Sequence, residues 1–268
     1  MELASTDLLY AALALYGAGT SIALASLLFP PQTRAQRAAF VVMIAGFVAH
    51  TIFIGTICVR TGHPPLVNLA EIATFIAWTI LLIDLVIYTR LKIYAAAFIV
   101  YPLVFLLLLV TAIVGDPFTH LNAAQHASLF TAHLLTSALG IAVLFIGLAF
   151  ALIASFQDRS LKSKKRGRLW DWIPSLDVCN AVTRRALSAG FVLYTAGLLA
   201  GFAWSLRVSP GSSEMHAKQI GALIAWVLFA ILLESQLTGF LRTRRTTLAL
   251  SAAAFAAVMV SIFGIAHV

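Results

Sequence analysis

The segment at residues 93–114, IYAAAFIVYPLVFLLLLVTAIV, decides the fold because it is long, apolar and free of charged side chains. A run of about 18 or more such residues is typical of a helix that crosses a bilayer. The pattern recurs along the chain, without an internal repeat or a low-complexity stretch. We therefore predict an all-α, polytopic transmembrane bundle that forms one domain over residues 1–268. The eight predicted spans lie at about residues 7–29, 38–58, 69–89, 93–114, 129–156, 187–206, 219–238 and 247–267.

The composition excludes an ordinary soluble domain. Of the 268 residues, 61% are hydrophobic and only 10% are charged, whereas soluble domains carry about 25% charged residues. The net charge of +8 does not indicate nucleic-acid binding, because the basic residues lie in short connections between spans. Basic residues in that arrangement report the orientation of the spans.

Fifteen of the 18 Lys and Arg residues lie in alternate connections, and only Arg60, Arg207 and Lys218 lie in the others. The positive-inside rule makes the basic set cytoplasmic, so an even number of spans places both termini outside. The basic set consists of Arg34, Arg37, Arg90, Lys92, Arg159, Lys162, Lys164, Lys165, Arg166, Arg168, Arg184, Arg185, Arg242, Arg244 and Arg245.

The longest connection, at about residues 157–186, is predicted to be cytoplasmic. Its basic run is followed by Trp170 and Trp172, which favours an interfacial segment anchored beside anionic lipid. Cys58 and Cys179 fall on opposite faces and are not expected to pair. No basic residue precedes the first apolar run, so we expect no cleaved signal peptide. The chain has no Cys-x-x-Cys-His sequence, so we expect no covalent haem on it.

None of the seven histidines lies in a cytoplasmic connection. His133 and His267 are predicted at similar depths near the outer ends of the fifth and eighth spans, where two imidazoles could hold a haem iron from opposite sides. Roles without a cofactor are expected for four other histidines. His63, His120 and His126 are expected to be solvated, and His50 could hydrogen-bond to a neighbouring helix. The remaining histidine is His216.

The chain resembles the cytochrome c assembly protein family, the haem-handling membrane proteins of the CcsA and HemX type. The resemblance covers most of the sequence and depends on the order of several short motifs. These motifs are Thr61-Gly-His-Pro-Pro-Leu-Val-Asn-Leu-Ala-Glu71 with Phe75 and Trp78, the stretch from His133 to Gly140, Pro174-Ser-Leu-Asp177, Gly201-Phe-Ala-Trp204, the stretch from His216 to Trp226, and Gly264-Ile-Ala-His267.

The resemblance implies a platform for haem at the outer face of the membrane. His133 and His267 match the two family histidines that supply axial ligands, and Trp204, Lys218 and Trp226 match parts of the platform. The expected cofactor is haem b, bound non-covalently. Arg207 and Lys218 are outer cations that could pair with the haem propionates, or could be snorkelling residues at span ends. Trp204 and Trp226 could equally belong to an aromatic belt.

Two departures from the family pattern indicate the shorter, HemX-like branch. The family sequence Trp-Asp-Pro-Lys-Glu is replaced here by Met215-His216-Ala217-Lys218-Gln219. Glu234 stands where cytochrome c synthetases of the family carry a further histidine. Asp84, in the inner half of the third predicted span, and Glu234 are candidates for function because acids in a membrane are costly. Each could instead neutralise an arginine at the cytoplasmic edge.

We therefore predict a haem-binding protein of the inner (plasma) membrane that assists cytochrome c biogenesis. A second membrane subunit is a possible partner, as the resemblance implies. The main alternative is a HemX-like regulator or scaffold of haem metabolism that binds no haem. A transporter that uses the outer histidines is less favoured, because the chain shows no inverted repeat. No classical catalytic motif is present, so enzyme activity is not predicted.

Overall fold

The computed structural model describes residues 2–27, 33–115, 118, 128–162, 173–208, 217–238 and 244–263. These residues form eight α-helices and, within the ranges just given, no strand, which confirms the predicted all-α fold. The helices are α1 (Glu2–Ser26), α2 (Thr33–Thr61), α3 (Leu69–Leu91), α4 (Ala97–Val114), α5 (Ser128–Lys162), α6 (Leu176–Val208), α7 (Ala217–Thr238) and α8 (Arg244–Phe263).

In the described part of the chain, the seven helices α1 to α7 are long and apolar enough to cross a membrane. The protein is therefore a multi-pass membrane protein. The apolar part of α8 is shorter, at Leu248–Val258, and the end of the predicted span 247–267 lies outside the described residues. Helix α6 begins at Leu176, well before the predicted span at 187–206. Hydropathy marks only the apolar part of such a helix, whereas its backbone hydrogen bonds continue into polar sequence.

The chain divides into two compact units. The first comprises Met1–His120 with Phe156–Val178, and so contains α1 to α4. The second comprises Leu121–Ser155 with Cys179–Val268, and so contains most of α5 and α6 together with α7 and α8.

Close contacts between neighbouring helices hold the first unit together. A Cβ atom on Gly46 of α2 would lie 2.6 Å from the Tyr16 ring of α1, so the ring occupies the space that the missing side chain leaves. The hydroxyls of Thr74 and Thr111 lie 2.8 Å apart and join α3 to α4. Hydroxyl pairs of this kind join helices in an apolar environment because they satisfy each other's hydrogen-bonding groups.

Local sequence fixes both ends of α3. At its start, the Asn68 side chain accepts a hydrogen bond from the Glu71 amide at 2.8 Å, and the Glu71 carboxylate accepts one from the Val67 amide at 2.8 Å. This reciprocal arrangement resembles a capping box and satisfies the buried Glu71. At its end, Lys92 adopts φ 57° and its amide donates to the Tyr88 carbonyl, which reverses the chain towards α4.

Glycines bring α5 and α6 of the second unit into backbone contact. A Cβ atom on Gly140 would lie 2.7 Å from the Tyr194 amide nitrogen, and one on Gly190 would lie 2.9 Å from the Leu144 amide nitrogen. Small residues allow membrane helices to approach this closely. We call this contact line the glycine seam.

Replacement of Gly140 with alanine is expected to destabilise the protein by about 1–3 kcal/mol, as overpacking of a tight interior does. The reason is that the added methyl group would meet the α6 backbone, which cannot give way as a flexible side chain can. Denaturation of the detergent-solubilised protein measures the effect.

Gly55→Ala is the matched control, because a Cβ atom on the exposed Gly55 of α2 would meet nothing within 4 Å. It is expected to be neutral or to stabilise by up to about 1 kcal/mol through helix propensity. Equal losses of stability in the two variants would contradict a close α5–α6 contact at Gly140.

Candidate functional site

His133 on α5 is held by the backbone of α6. Its Nδ1 atom lies 2.7 Å from the Gly197 carbonyl oxygen. A carbonyl can only accept a hydrogen bond, so Nδ1 carries the hydrogen and donates it. When one nitrogen of an imidazole carries the hydrogen as a donor, the other can present a lone pair, which here is Nε2. A carbonyl that orients a histidine in this way is the usual companion of a histidine that binds metal.

The glycine seam creates the space for the His133 ring. Gly197 and Gly201 are separated by one helical turn on α6, and a Cβ atom on Gly201 would lie 2.5 Å from the His133 Nδ1 atom. The Ser137 hydroxyl, one turn farther along α5, is 3.4 Å from the same nitrogen. Any side chain at position 201 would therefore displace the ring from its carbonyl partner.

Aromatic side chains lie next to this histidine. Phe130 and Trp204 face each other with ring centroids 4.8 Å apart and planes tilted by 44°. Phe130 is three residues before His133, and Trp204 is three residues after Gly201, so the pair lies about one turn from the ring towards the start of α5. The pair gives the His133 end of the glycine seam an apolar wall.

Trp226 of α7 contacts a different part of α6. Its indole nitrogen donates a hydrogen bond to the Thr195 hydroxyl at 2.9 Å, and its ring lies 5.5 Å from the Phe191 ring, centroid to centroid. Both partners precede Gly197 in α6. The structure thus brings Trp204 to the same end of the seam as His133. The contacts of Trp226 with Thr195 and Phe191 instead join α7 to an earlier turn of α6.

The two predicted cations lie near the end of α6 and the start of α7. Arg207 is exposed in the last turn of α6. Lys218 belongs to the first turn of α7, and its side chain is not described. The neighbouring Gln219 donates a hydrogen bond to the Ser205 hydroxyl at 3.1 Å, which holds the backbone at Lys218 near the Arg207 end of α6. His267, the second predicted ligand, lies outside the described residues.

Two other histidines are well defined. The Nδ1 atom of His50 lies 3.1 Å from the Tyr16 hydroxyl, which confirms the expected hydrogen bond to a neighbouring helix. The expectation that His63 is solvated is wrong, because only 7% of this residue is exposed. The loop turns the His63 ring inward, and its Nδ1 lies 2.9 Å from the Pro64 carbonyl. His120, His126 and His216 lie outside the described residues, as do Trp170 and Trp172.

The two predicted acids differ in environment. Asp84 is 1% exposed, and its Oδ1 atom has no hydrogen-bond partner among the described residues. Glu234 is exposed on α7. In the same described part of the chain, no group of three or more His, Cys, Asp or Glu side chains could hold a metal ion.

Sequence reasoning overlooked the residues that position His133. The carbonyl of Gly197, the space above Gly201 and the Phe130 ring are tertiary features. One signal was available, because Gly197 and Gly201 form a small-residue pair at a spacing of four in an apolar helix, which favours close helix packing. That signal does not reveal which side chain fills the space.

Comparison with known proteins gives consistent matches. The family model described as "Cytochrome C assembly protein" matches residues 66–268. The protein named "Cytochrome c biogenesis protein CcsA" from Guillardia theta is 25% identical over 214 residues, which cover 73% of this chain and 71% of the relative. The proteins of the same name from Phalaenopsis aphrodite subsp. formosana and Daucus carota are 26% and 23% identical, and each match covers 83% of this chain and 82% or 81% of the relative.

The hydrogen bond between Trp226 and Thr195 is expected to stabilise the second unit by about 0.5–1.5 kcal/mol. Trp226→Phe and Thr195→Val should each destabilise the protein, and the double variant should lose less than the sum of the two, because both single changes remove one shared bond. Denaturation in detergent completes the double-mutant cycle.

Thr136→Val is the control partner, since the Thr136 hydroxyl donates to its own helix at Ala132. Its effect should add to that of Trp226→Phe. Full additivity in the Trp226–Thr195 cycle as well would show that the bond contributes nothing to stability.

Proposed function

Because this chain belongs to the Cytochrome C assembly protein family, we propose that it takes part in cytochrome c biogenesis by binding haem b non-covalently at the outer face of the membrane. His133 and His267 are the proposed axial ligands of the haem iron. The observation that carries this proposal is the hydrogen bond from His133 Nδ1 to the Gly197 carbonyl.

The tautomer of His133 fits the chemistry of an iron ligand. Donation from Nδ1 leaves the Nε2 lone pair for the metal, and a fixed ring needs no reorientation when iron binds. The His133 ring occupies space that a side chain at position 201 would need. When bound, the haem supplies an iron porphyrin that is cargo for cytochrome assembly.

The remaining site residues have separate proposed roles. Trp204, with Phe130, supplies an apolar wall next to His133, which suits a flat apolar ring. Trp226 of α7 stabilises α6 through its hydrogen bond to Thr195. Arg207 and Lys218 are the proposed partners of the haem propionates, because a cation and a carboxylate form charge-assisted hydrogen bonds.

The proposed location is the inner (plasma) membrane, with both termini on the extracytoplasmic side. The basic connections support this orientation through the positive-inside rule. The seven apolar helices support a bilayer as the surroundings of the protein. A second membrane subunit is the proposed protein partner in cytochrome assembly. The chain belongs to this proposed system as a haem-handling component rather than as an enzyme with its own catalytic residues.

A second candidate is a HemX-like regulator or scaffold that keeps the fold but binds no haem. The sequence at Met215-His216-Ala217-Lys218-Gln219 favours it, since the aromatic and acidic residues of the family motif are replaced there.

The test is the reduced-minus-oxidised visible spectrum of protein purified in mild detergent, before and after addition of hemin. The wild type should show the bands of a haem with two histidine ligands. His133→Ala and His267→Ala should each weaken these bands, because each removes one ligand. In His133→Gly, added imidazole should restore them by occupying the space that the ring leaves.

Two further variants separate ligation from general damage. His126→Ala removes a histidine that is predicted to be solvated and should leave the spectrum unchanged. Gly201→Ala keeps both ligands but displaces the His133 ring, so the bands should weaken while helix content is retained. A wild type without haem, even after hemin is added, would exclude the haem-binding function and favour the regulator or scaffold.

A further inference from the structure

Three buried side chains from α1, α3 and α4 (Thr20, Asp84 and Tyr101) lie at one level along the helix axes of the first unit. Helices α1 and α4 touch at Gly17 and Phe105. One turn farther along each of these antiparallel helices, Thr20 and Tyr101 come to the same level. The level of Asp84 on α3 follows from the contact between α3 and α4.

The hydrogen-bonded pair Thr74 and Thr111 fixes how α3 and α4 align along their axes. From Thr74 to Asp84 is ten residues along α3, and from Thr111 back to Tyr101 is ten residues along α4. Each path covers about 15 Å at 1.5 Å per residue. Asp84 therefore lies at the axial level of Tyr101 and of Thr20.

Tyr94 completes the group from the α3–α4 connection. The left-handed turn at Lys92 folds the connection back, so that the Tyr94 ring lies 6.3 Å from the Tyr101 ring, centroid to centroid. The Asp84 carboxyl is close enough for its charge to act on both the Tyr94 and the Tyr101 hydroxyls.

Three buried oxygen atoms in this group have no hydrogen-bond partner among the described residues. They are Oγ1 of Thr20, Oδ1 of Asp84 and the hydroxyl of Tyr94. Their residues are 8%, 1% and 6% exposed. Most buried polar atoms in proteins have a partner, either from the protein or from an ordered water. Three such atoms in one group therefore indicate a small polar species, such as a water, as their partner.

The Asp84 carboxyl is the only acidic group among these side chains. An isolated carboxylate in an apolar interior is very unfavourable, and such a group becomes neutral by binding a proton. Acids within membrane spans are functional candidates for this reason. The neighbouring hydroxyls can donate hydrogen bonds to the charged form or accept one from the neutral form.

We propose that the interior of the first unit contains a reversible proton-binding site, in which the Asp84 carboxyl carries the proton and shares a bound water with the Thr20 and Tyr94 hydroxyls. Binding adds one proton to the carboxylate and makes it neutral, and release returns that proton to water. The site is independent of the proposed haem ligands, which belong to the second unit.

Other titratable groups surround this site on each packed element. Tyr88 of α3 and Tyr101 of α4 lie beside Tyr94, and the Tyr88 ring packs on Phe40 of α2. On α1, Tyr16 precedes Thr20 by one turn and is joined to His50 of α2.

The experiment uses dicyclohexylcarbodiimide, an apolar reagent that modifies protonated carboxyls within membranes. The full-length protein in lipid vesicles is treated over a range of pH, and mass spectrometry of the peptides locates the label. We expect labelling of Asp84 at low pH and a progressive loss as the pH rises, because only the protonated carboxyl reacts. Absence of label at Asp84 at every pH would overturn the proposal.

Three variants sharpen the result. Asp84→Asn should lose this label, whereas Glu234→Gln, which changes an exposed acid, should keep it. Tyr94→Phe keeps the carboxyl but removes one hydroxyl that stabilises its charged form, so labelling should persist to higher pH. If the pH dependence of Asp84 labelling is unchanged in Tyr94→Phe, the proposal that Asp84 and Tyr94 share a site is overturned. If sodium ions protect Asp84 from labelling and choline does not, the site binds a metal cation and the proposal of a proton site is overturned.

Discussion

A polar group inside an apolar protein needs a partner, and this requirement organises both units of the structure. Hydrocarbon offers no hydrogen bonds, so each span satisfies its backbone within a helix. Polar side chains follow the same rule where a partner is near. Thr74 pairs with Thr111, Glu71 caps the start of α3, and His133 donates to the Gly197 carbonyl.

In the second unit, the hydrogen bond of His133 depends on close packing between α5 and α6. The carbonyl of Gly197 is within reach because glycines remove the side chains that would separate the helices. The same close approach leaves the space that the His133 ring fills above Gly201. A stabilising contact and a candidate ligand thus have one physical origin, and a change in the packing alters the orientation of the histidine.

The first unit contains the exceptions to the requirement for partners. Of the buried side-chain atoms without a partner in the described part of the chain, Thr20 Oγ1, His50 Nε2, Asp84 Oδ1 and the Tyr94 hydroxyl belong to α1 to α4 and their connection. Helix propensity and hydropathy give no reason to place these groups inside a membrane protein. Their burial lowers the stability of the folded protein unless a proton or a water satisfies them. For this reason they indicate function more strongly than the apolar residues around them.

The sequence by itself determined the class of fold, the number of helices and the family, because apolar runs and the order of short motifs are one-dimensional features. Through the resemblance, the sequence also predicted that His133 and Trp204 belong to one haem site, and this stays a prediction. Only the tertiary structure decided that Gly197 and Gly201 hold the His133 ring, that His63 is buried and that Asp84 is buried at the level of Tyr101. These features depend on how helices far apart in sequence align and how closely they approach, and hydropathy contains no information about either.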